Sequence, residues 1–150
     1  MNINLRKVET KDDIDLFANY KLDLIKSHES YAQEIGLIDN KVNSYTKEDA
    51  IRNINKEDFY QFIINFNNID IGFIEYNIEI SDIDLEKIIY IKNIFIDNNY
   101  SNMGIGTMVL NKLKVKLNYI IDLECWYGMP ANELYKKLGM KQIKTRYVWK

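Results

Sequence analysis

Residues 94–112 read IFIDNNYSNMGIGTMVLNK, an apolar run followed by a polar loop, two closely spaced glycines and a second apolar segment. This pattern predicts a strand that ends near Ile96, a turn at Gly104 and Gly106, and then a helix. Glycine has no Cβ, so the backbone amides of such a turn can face a ligand directly. The first amides of a helix also lack intrahelical partners and lie at the positive end of its dipole. The stretch therefore predicts a site for a phosphate or pyrophosphate group.

Two common phosphate-binding loops do not fit this stretch. A P-loop requires G-x-x-x-x-G-K-[ST], a spacing that does not occur in the chain. A dinucleotide-binding loop requires G-x-G-x-x-G at the start of a βαβ unit, but Val109 occupies the third glycine position and the motif lies late in the chain. A nucleotide-like cofactor of another kind is therefore expected.

The loop and the segments after it resemble the GNAT family of N-acetyltransferases. S-N-M-G-I-G at 101–106 is similar to the family's acetyl-CoA-binding motif, [Q/R]-x-x-G-x-[G/A]. IIDLECW at 120–126 resembles its fifth strand, and PANELYKKLGM at 130–140 resembles its A-x-x-L-Y-x-x-x-G-F helix. Ser101 replaces the usual Gln or Arg, and Gly128 stands where many members carry Asn. The motif matches cover roughly residues 88–140, and the N-terminal half matches only in the order of its elements.

This resemblance implies the family's α/β fold for residues 1–150 as a single domain. In that fold, a mixed but mostly antiparallel central sheet is splayed between its fourth and fifth strands and carries helices on both faces. Hydrophobic periodicity and turn residues give a compatible order of elements, βααβββαβαβ. The predicted strands are 2–8, 59–66, 71–80, 88–96, 119–126 and 141–149, and the predicted helices begin near Ile14, at Thr46 with Asp49 as a capping pair, at Met103 and at Pro130.

The resemblance also implies the residues that bind acetyl-CoA. In the family, the pantetheine arm pairs with the backbone of the fourth strand, and the pyrophosphate rests on amides that begin the next helix. Ser101 offers a neutral hydroxyl where an arginine would offer charge, and it or Asn102 could cap the helix instead. The predicted contacts are the backbone of Ile94, Phe95 and Ile96, the motif residues Ser101, Asn102, Met103, Gly104, Ile105, Gly106 and Thr107, and the side chains of Asn132 and Tyr135.

In the family, the tyrosine of the A-x-x-L-Y helix protonates the departing thiolate, so the resemblance implies this catalytic role for Tyr135. A phenol stays protonated at neutral pH and can donate to a stronger base nearby; the alternative is that Tyr135 only packs its helix against the sheet. Some family members place a glutamate in the strand that corresponds to 88–96, where this chain has no carboxylate. Glu124 is the predicted general base, with Glu75 as a second candidate, and a solvated strand residue is an equally good interpretation of each. Cys125 could form an acetyl-enzyme, but a buried strand cysteine is the more common role.

Composition limits the partners and the compartment. A net charge of −2 and a pI near 5.5 give no reason to expect nucleic acid or a membrane surface as a partner. The N-terminal residues lack a signal-peptide core, no apolar run is long enough to cross a bilayer, and the single cysteine excludes an internal disulfide. We therefore expect a cytoplasmic protein with no metal, as a monomer or a homodimer.

The predicted function is acetyl-CoA-dependent transfer of an acetyl group to a primary amine of a small molecule or peptide. Acidic residues in the first two helices favour a cationic acceptor, although a solvated helix surface explains them equally well; they are Glu29, Glu34, Glu48 and Asp49. The alternative function is a CoA-binding sensor or partner-binding module without turnover.

Overall fold

A computed structural model describes residues 2–39, 45–82 and 84–149. Within these residues, four helices and five strands follow one another, with one 3-10 turn at Asn98–Tyr100. They are β1 (Ile3–Lys7), α1 (Lys11–Glu34), α2 (Lys47–Ile51), β2 (Phe59–Phe66), β3 (Ile69–Ile80), β4 (Lys87–Ile96), α3 (Ile105–Leu117), β5 (Ile120–Leu123) and α4 (Ala131–Lys137).

The strands form one sheet in the order β1-β2-β3-β4-β5. The first four strands pair antiparallel, whereas β4 and β5 pair parallel. That pairing begins at Ile88 with Ile120 and ends at Ile91 with Leu123. Residues 92–96 of β4 therefore have no partner strand on the β5 side within the described chain. The predicted mixed sheet, splayed between its fourth and fifth strands, is confirmed.

Helices cover both faces of this sheet, as predicted. One apolar cluster joins β2, β3 and β4 to α3 and includes Ile74, Ile89 and Val109. The second cluster lies on the opposite face under α1, where Phe17 packs edge-on against Phe73 at 5.0 Å between ring centroids. Since each helix buries one apolar stripe and each central strand is covered twice, the sheet is held rigid between α1 and α3.

Both N-terminal helices begin with a capping box. Thr46 accepts a hydrogen bond from the Asp49 amide, and the Asp49 carboxylate accepts one from the Thr46 amide, which is the predicted arrangement. Thr10 and Asp13 do the same for α1. Such caps stabilise a helix by about 1 kcal/mol each, which matters most for the five-residue α2.

The prediction of a last strand at 141–149 is wrong. These residues are exposed and adopt no regular secondary structure. Their β-branched and aromatic residues favour a strand, but a strand needs a neighbour to satisfy its backbone, and none of the described strands pairs with them. β5 is also shorter than the predicted 119–126, because its pairing with β4 stops where the two strands diverge.

A β-bulge lies between β3 and β4 beside the point of divergence. Glu75 pairs with Asn93 and the next residue, Tyr76, pairs with Ile91, so Lys92 is an extra residue in β4. A bulge bends its strand and increases the local twist. This bend contributes to directing the last part of β4 away from β5.

Candidate functional site

The N-terminus of α3 leaves several backbone amides without partners. The first helical hydrogen bond runs from the Met108 amide to the Gly104 carbonyl at 3.1 Å. The amides of Ile105, Gly106 and Thr107 therefore have no helical acceptor, and no side chain of the described residues caps the helix. These three donors lie at the positive end of the helix dipole, an arrangement that suits an anion.

Gly104 and Gly106 have different roles in this turn. Gly104 is the N-cap with a φ of 74°, and a Cβ placed on it would meet no atom within 4 Å. A side chain there would project into the open space in front of the free amides. A Cβ on Gly106 would lie 2.9 Å from Cδ2 of Leu134, so this glycine allows α4 to pack against α3. A side chain at Gly104 would thus enter open space, whereas one at Gly106 would displace α4.

The residues before Gly104 are exposed, and they do not cap the helix. The Ser101 hydroxyl donates to the Asn98 carbonyl at 2.8 Å, and Asn102 has a φ of 60°. The alternative in which Ser101 or Asn102 is the N-cap is therefore wrong, because the chain turns again at Gly104. An anion needs hydrogen-bond donors, and the one hydroxyl proton of Ser101 is already donated to Asn98. The remaining lone pairs of the Ser101 oxygen can only accept hydrogen bonds, so this side chain contributes little to binding an anion.

The unpaired end of β4 lies directly before this turn. Ile94, Phe95 and Ile96 are half-buried, and β3 satisfies one edge of their strand. Their other edge faces the gap left by β5. A free strand edge presents backbone donors and acceptors at regular spacing, which an extended chain of amides can match. The end of β4 and the start of α3 are separated by residues 97–104 in the sequence, but they lie close in space, since a Cβ on Gly106 would lie 3.9 Å from Cδ1 of Ile96.

Tyr135 of α4 lies at the border of the cluster under α3. Burial, followed by the nearby Cys125, raises the pKa of Tyr135 to about 12. Its hydroxyl is therefore protonated at neutral pH and can act as a hydrogen-bond donor. Burial also raises the pKa of the half-buried Cys125 thiol, so the thiol is protonated and a poor nucleophile. The geometry thus gives no support to an acetyl-enzyme at Cys125.

Two other predicted site residues lie close to the same gap. Both amide hydrogens of Asn132 are used by the loop before α4, since its Nδ2 donates to the carbonyls of Trp126 at 2.8 Å and Met129 at 3.1 Å. Only its Oδ1 is left for a ligand. Glu124 is exposed directly after β5. Its charge adds to burial, the larger cause, in raising the pKa of Tyr90 on β4, so the carboxylate lies near that strand.

A buried ion pair between α1 and β3 was not predicted. Lys21 Nζ donates to Glu75 Oε2 at 2.8 Å and to the Ala50 carbonyl at 3.1 Å, and the two side chains are 6% and 1% exposed. Glu75 was considered a base or a solvated strand residue, and the burial rules out the second of these. The signal in the sequence was Lys21 itself, one turn after Phe17 on the apolar stripe of α1.

A second unpredicted feature is an aromatic contact between α1 and the loop after β5. The Trp126 ring lies 6.1 Å from Tyr31 and 6.3 Å from His28, centroid to centroid. Burial lowers the pKa of His28, which is therefore neutral at pH 7. A Cβ on Gly128 would lie 2.8 Å from the Tyr31 hydroxyl, so glycine here permits the close approach of helix and loop. These contacts hold the loop after β5 against α1.

No group of three or more His, Cys, Asp or Glu side chains is arranged to hold a metal ion in residues 2–39, 45–82 and 84–149. In the same ranges, none of the helices has the length and apolar character required to cross a bilayer.

Comparison with known proteins agrees with this geometry. Residues 24–140 match the model of the acetyltransferase (GNAT) family. A curated relative, an uncharacterized N-acetyltransferase of Methanocaldococcus jannaschii, is 30% identical over 96 residues, which are 59% of this chain and 42% of the relative. The chain thus spans less than half the length of that protein.

Solved structures share the fold over the whole chain. A tetramutant of the BH1408 protein from Bacillus halodurans has a TM-score of 0.78 at 15% identity, covering 100% of this chain and 99% of that one. A predicted acetyltransferase from Clostridium acetobutylicum, crystallised with acetyl-CoA, has a TM-score of 0.69 at 18% identity, covering 99% and 96%. The family match extends over most of the sequence and includes both motifs, which confirms the predicted acyltransferase class at the level of the family. The chain belongs to the acetyltransferase (GNAT) family.

Proposed function

We propose that this protein transfers the acetyl group of acetyl-CoA to a primary amine. The observation that carries the proposal is the open N-terminus of α3, with the free amides of Ile105, Gly106 and Thr107 behind the empty space at Gly104. A pyrophosphate fits this surface because its oxygens accept hydrogen bonds from backbone amides that only water would otherwise satisfy. The relative from C. acetobutylicum, crystallised with acetyl-CoA, supports the same cofactor.

The unpaired edge of β4 orients the rest of the cofactor. Its backbone groups at Ile94, Phe95 and Ile96 pair with the pantetheine amides, and an amide of this segment polarises the thioester carbonyl. Acetyl-CoA supplies an activated acyl group, so the protein needs mainly to align the amine with it. Alignment of this kind requires a rigid strand, which the helices packed on both faces of the sheet provide.

Tyr135 stabilises the departing sulfur by donating a hydrogen bond. An ordinary thiol has a pKa of about 8.5, well below the value of about 12 for the Tyr135 phenol. Complete proton transfer to the thiolate is therefore uphill unless burial also raises the pKa of the thiol. Hydrogen bonding that strengthens as charge develops still lowers the barrier. Glu124, exposed at the end of β5, is the proposed base that removes the proton of the amine.

A second candidate function is CoA binding without turnover. The observations that favour it are the Ser101 hydroxyl, already used by the Asn98 carbonyl, and the absence of any carboxylate in β4. Both candidates predict binding of CoA, so binding alone does not distinguish them.

Release of the CoA thiol in the presence of amines is the experiment that separates the two functions. The purified protein is mixed with acetyl-CoA and with spermidine, kanamycin or a short peptide that has a free N-terminus. Amine-dependent thiol release and an acetylated product by mass spectrometry are the expected results. Tight binding of CoA without release for any amine would favour the module without turnover, and the lack of both would contradict the proposal.

A further inference from the structure

One row of polar side chains crosses the face of the sheet that α1 covers. Gln61 on β2 pairs with Glu75 on β3, and Glu75 pairs with Asn93 on β4. Directly opposed residues of antiparallel strands point to the same face, with Cα atoms about 4.5–5.5 Å apart. The row on one side of it is apolar, with Ile63, Phe73 and Phe95 in the cluster beneath α1, whereas the row on the other side contains Asn77 and Tyr90. Polar side chains are costly to bury, so this row calls for a functional explanation.

Only one of the two carboxylate oxygens of Glu75 has a hydrogen-bond partner among the described residues. Its Oε2 accepts the Lys21 ammonium at 2.8 Å, whereas its Oε1 is buried and has no hydrogen-bond partner among the described residues. A buried oxygen of a charged group that lacks a donor destabilises the fold, because its lost hydration is not replaced by a hydrogen bond. The orphaned Oε1 thus marks a place where a donor is expected.

Asn93 lies at the β4 end of this row, next to the gap, and its amide carries both a hydrogen-bond donor and an acceptor. It is beside the bulge and two residues beyond Ile91, the last residue of β4 that pairs with β5. Its side chain is half-buried and makes no hydrogen bond in the described part of the chain. Asn93 thus lies between Glu75 on β3 and the gap between β4 and β5 in which the proposed reaction takes place.

We propose that Asn93 holds the attacking amine of the acceptor, and that the Lys21–Glu75 ion pair orients the Asn93 amide for this task. The inference rests on the proposed function. The two side chains are not hydrogen-bonded to each other in the structure. When the acceptor binds, Asn93 Nδ2 turns to donate to Glu75 Oε1, which fixes the amide with Asn93 Oδ1 facing the gap. That oxygen accepts a hydrogen bond from an N–H of the amine and leaves the nitrogen lone pair free to attack. Asn93 is then the contact residue, and Glu75 is a positioning residue.

Asn93→Leu is the principal test, because leucine keeps the size of the side chain and removes both polar atoms. Spermidine, kanamycin and the peptide are first compared with the wild type. Steady-state kinetics of the variants are then measured with the amine that gives the highest wild-type kcat/KM. We expect kcat/KM for the amine to fall on the order of tenfold to hundredfold, with the KM of acetyl-CoA changed by less than about threefold. Glu75→Gln should lower the amine kcat/KM in the same direction by a smaller factor, because a glutamine still offers an oxygen.

Gln61→Leu is the matched control at the other end of the row. Gln61 donates to the Asn53 carbonyl at 3.1 Å and is separated from the gap by Glu75. The same polar-to-apolar change here should lower the melting temperature and leave the kinetic constants of both substrates at the wild-type values. A purely structural role for Asn93 would make the two variants behave alike.

Calorimetry provides a readout that does not depend on turnover. Spermidine is titrated into the protein saturated with CoA, and Asn93→Leu is expected to weaken its binding by a factor similar to the loss in kcat/KM. An amine kcat/KM within about twofold of wild type in folded Asn93→Leu overturns the inference while leaving the proposed function intact. If Asn93→Leu does not fold, Asn93→Ser is used with the same criteria. Absence of both turnover and amine binding in the wild type overturns the proposed function and this inference together.

Discussion

The two faces of the sheet present their unsatisfied polar groups in opposite ways. On the α3 face the free groups are backbone amides at Ile105, Gly106 and Thr107, with open space in front of them. On the α1 face the described residues leave two buried side-chain oxygens without a hydrogen-bond partner, Glu75 Oε1, enclosed beside Lys21, and Asn77 Oδ1. The first surface can accept an anion as it stands. The second needs a neighbouring side chain to complete it.

This difference determines how each region responds to mutation. A surface made of backbone cannot be deleted by changing a side chain, so it is damaged only by adding atoms in front of it. A surface made of side chains is damaged by removing either partner, because the remaining charge stays buried. Added atoms at Gly104 should therefore impair ligand binding and spare the fold, whereas removal of Lys21 should impair the fold first.

The largest effect is expected for Gly104→Glu. The new side chain enters the space in front of the free amides and brings a negative charge to a site for an anion, so acetyl-CoA affinity should fall on the order of hundredfold or more. Gly139→Glu is the matched control, because Gly139 has a φ of 76° and also has no atom within 4 Å of an added Cβ. Both substitutions should lower stability by about 1–2 kcal/mol through left-handed strain, and only the first should lower affinity in calorimetry. Equal affinities of the two variants would show that Gly104 is merely a turn residue.

Lys21→Met should have the next largest effect, on stability. Methionine fills the site of the lysine stem but leaves the Glu75 carboxylate without its cation, at a cost of about 3–5 kcal/mol in the free energy of unfolding. The double variant Lys21→Met, Glu75→Leu removes both charges and should recover most of this loss, as measured by urea denaturation. If the single variant is as stable as wild type, the pair is solvated in solution and the polar row is not enclosed.

Tyr135→Phe should lower turnover and leave the cofactor in place. The ring that packs on the cluster is kept, and only the hydroxyl is lost. We expect kcat to fall on the order of tenfold to several hundredfold, toward the low end, with little change in the KM of acetyl-CoA. Glu124→Gln, assayed in parallel, tests the proposed base. Wild-type turnover by Tyr135→Phe, with chemistry rate-limiting, would reduce Tyr135 to a packing residue.

The pH dependence at Tyr135 follows from its raised pKa. The phenol has an ordinary pKa of 10.0 in the unfolded chain and about 12 in the folded protein, because burial disfavours the phenolate. Its contribution to stability is therefore complete below pH 10 and is lost as the pH rises from 10 to 12. Rate profiles of wild type and Tyr135→Phe from pH 6 to 9 should have the same shape. A fall in the wild-type rate toward pH 9 that is absent in Tyr135→Phe would show that the pKa of Tyr135 is far below 12.

Ser101→Ala is expected to have the smallest effect. The hydroxyl of Ser101 already donates its hydrogen bond to the Asn98 carbonyl, so it stabilises the loop and is not available to donate to the cofactor. Acetyl-CoA affinity should change by less than about threefold in a calorimetric titration. A loss of tenfold or more would show that Ser101 replaces the missing Gln or Arg as a direct phosphate contact.

Local motifs predicted the elements around the gap and the family well. The glycine motif, the A-x-x-L-Y helix and the β4–α3 turn are each a short stretch whose geometry is set by its own residues, and the structure and the family match agree with them. The role of Gly106 was not separable from that of Gly104, since the contact with Leu134 comes from a helix that follows much later in the sequence.

Pairings between distant residues could not be predicted in the same way. Lys21 and Glu75 are 54 positions apart, and only the register of β3 under α1 brings them together. Asn93 became informative once the bulge showed which face it occupies, because a shift of one residue reverses every later side chain. The strand predicted at 141–149 failed for a related reason. Its composition is suitable, but a strand also depends on a partner that composition does not reveal.

Titration of the ¹⁵N-labelled protein with acetyl-CoA, followed by ¹H–¹⁵N correlation spectra, tests the central claim most directly. If the backbone at the start of α3 and the free edge of β4 hold the cofactor, the largest shifts will occur at the amides of residues 94–96 and 104–107. The amides of residues 3–7 in β1, at the far edge of the sheet, should shift little and serve as the internal reference. Saturable binding with no shift at 104–107 would contradict the account.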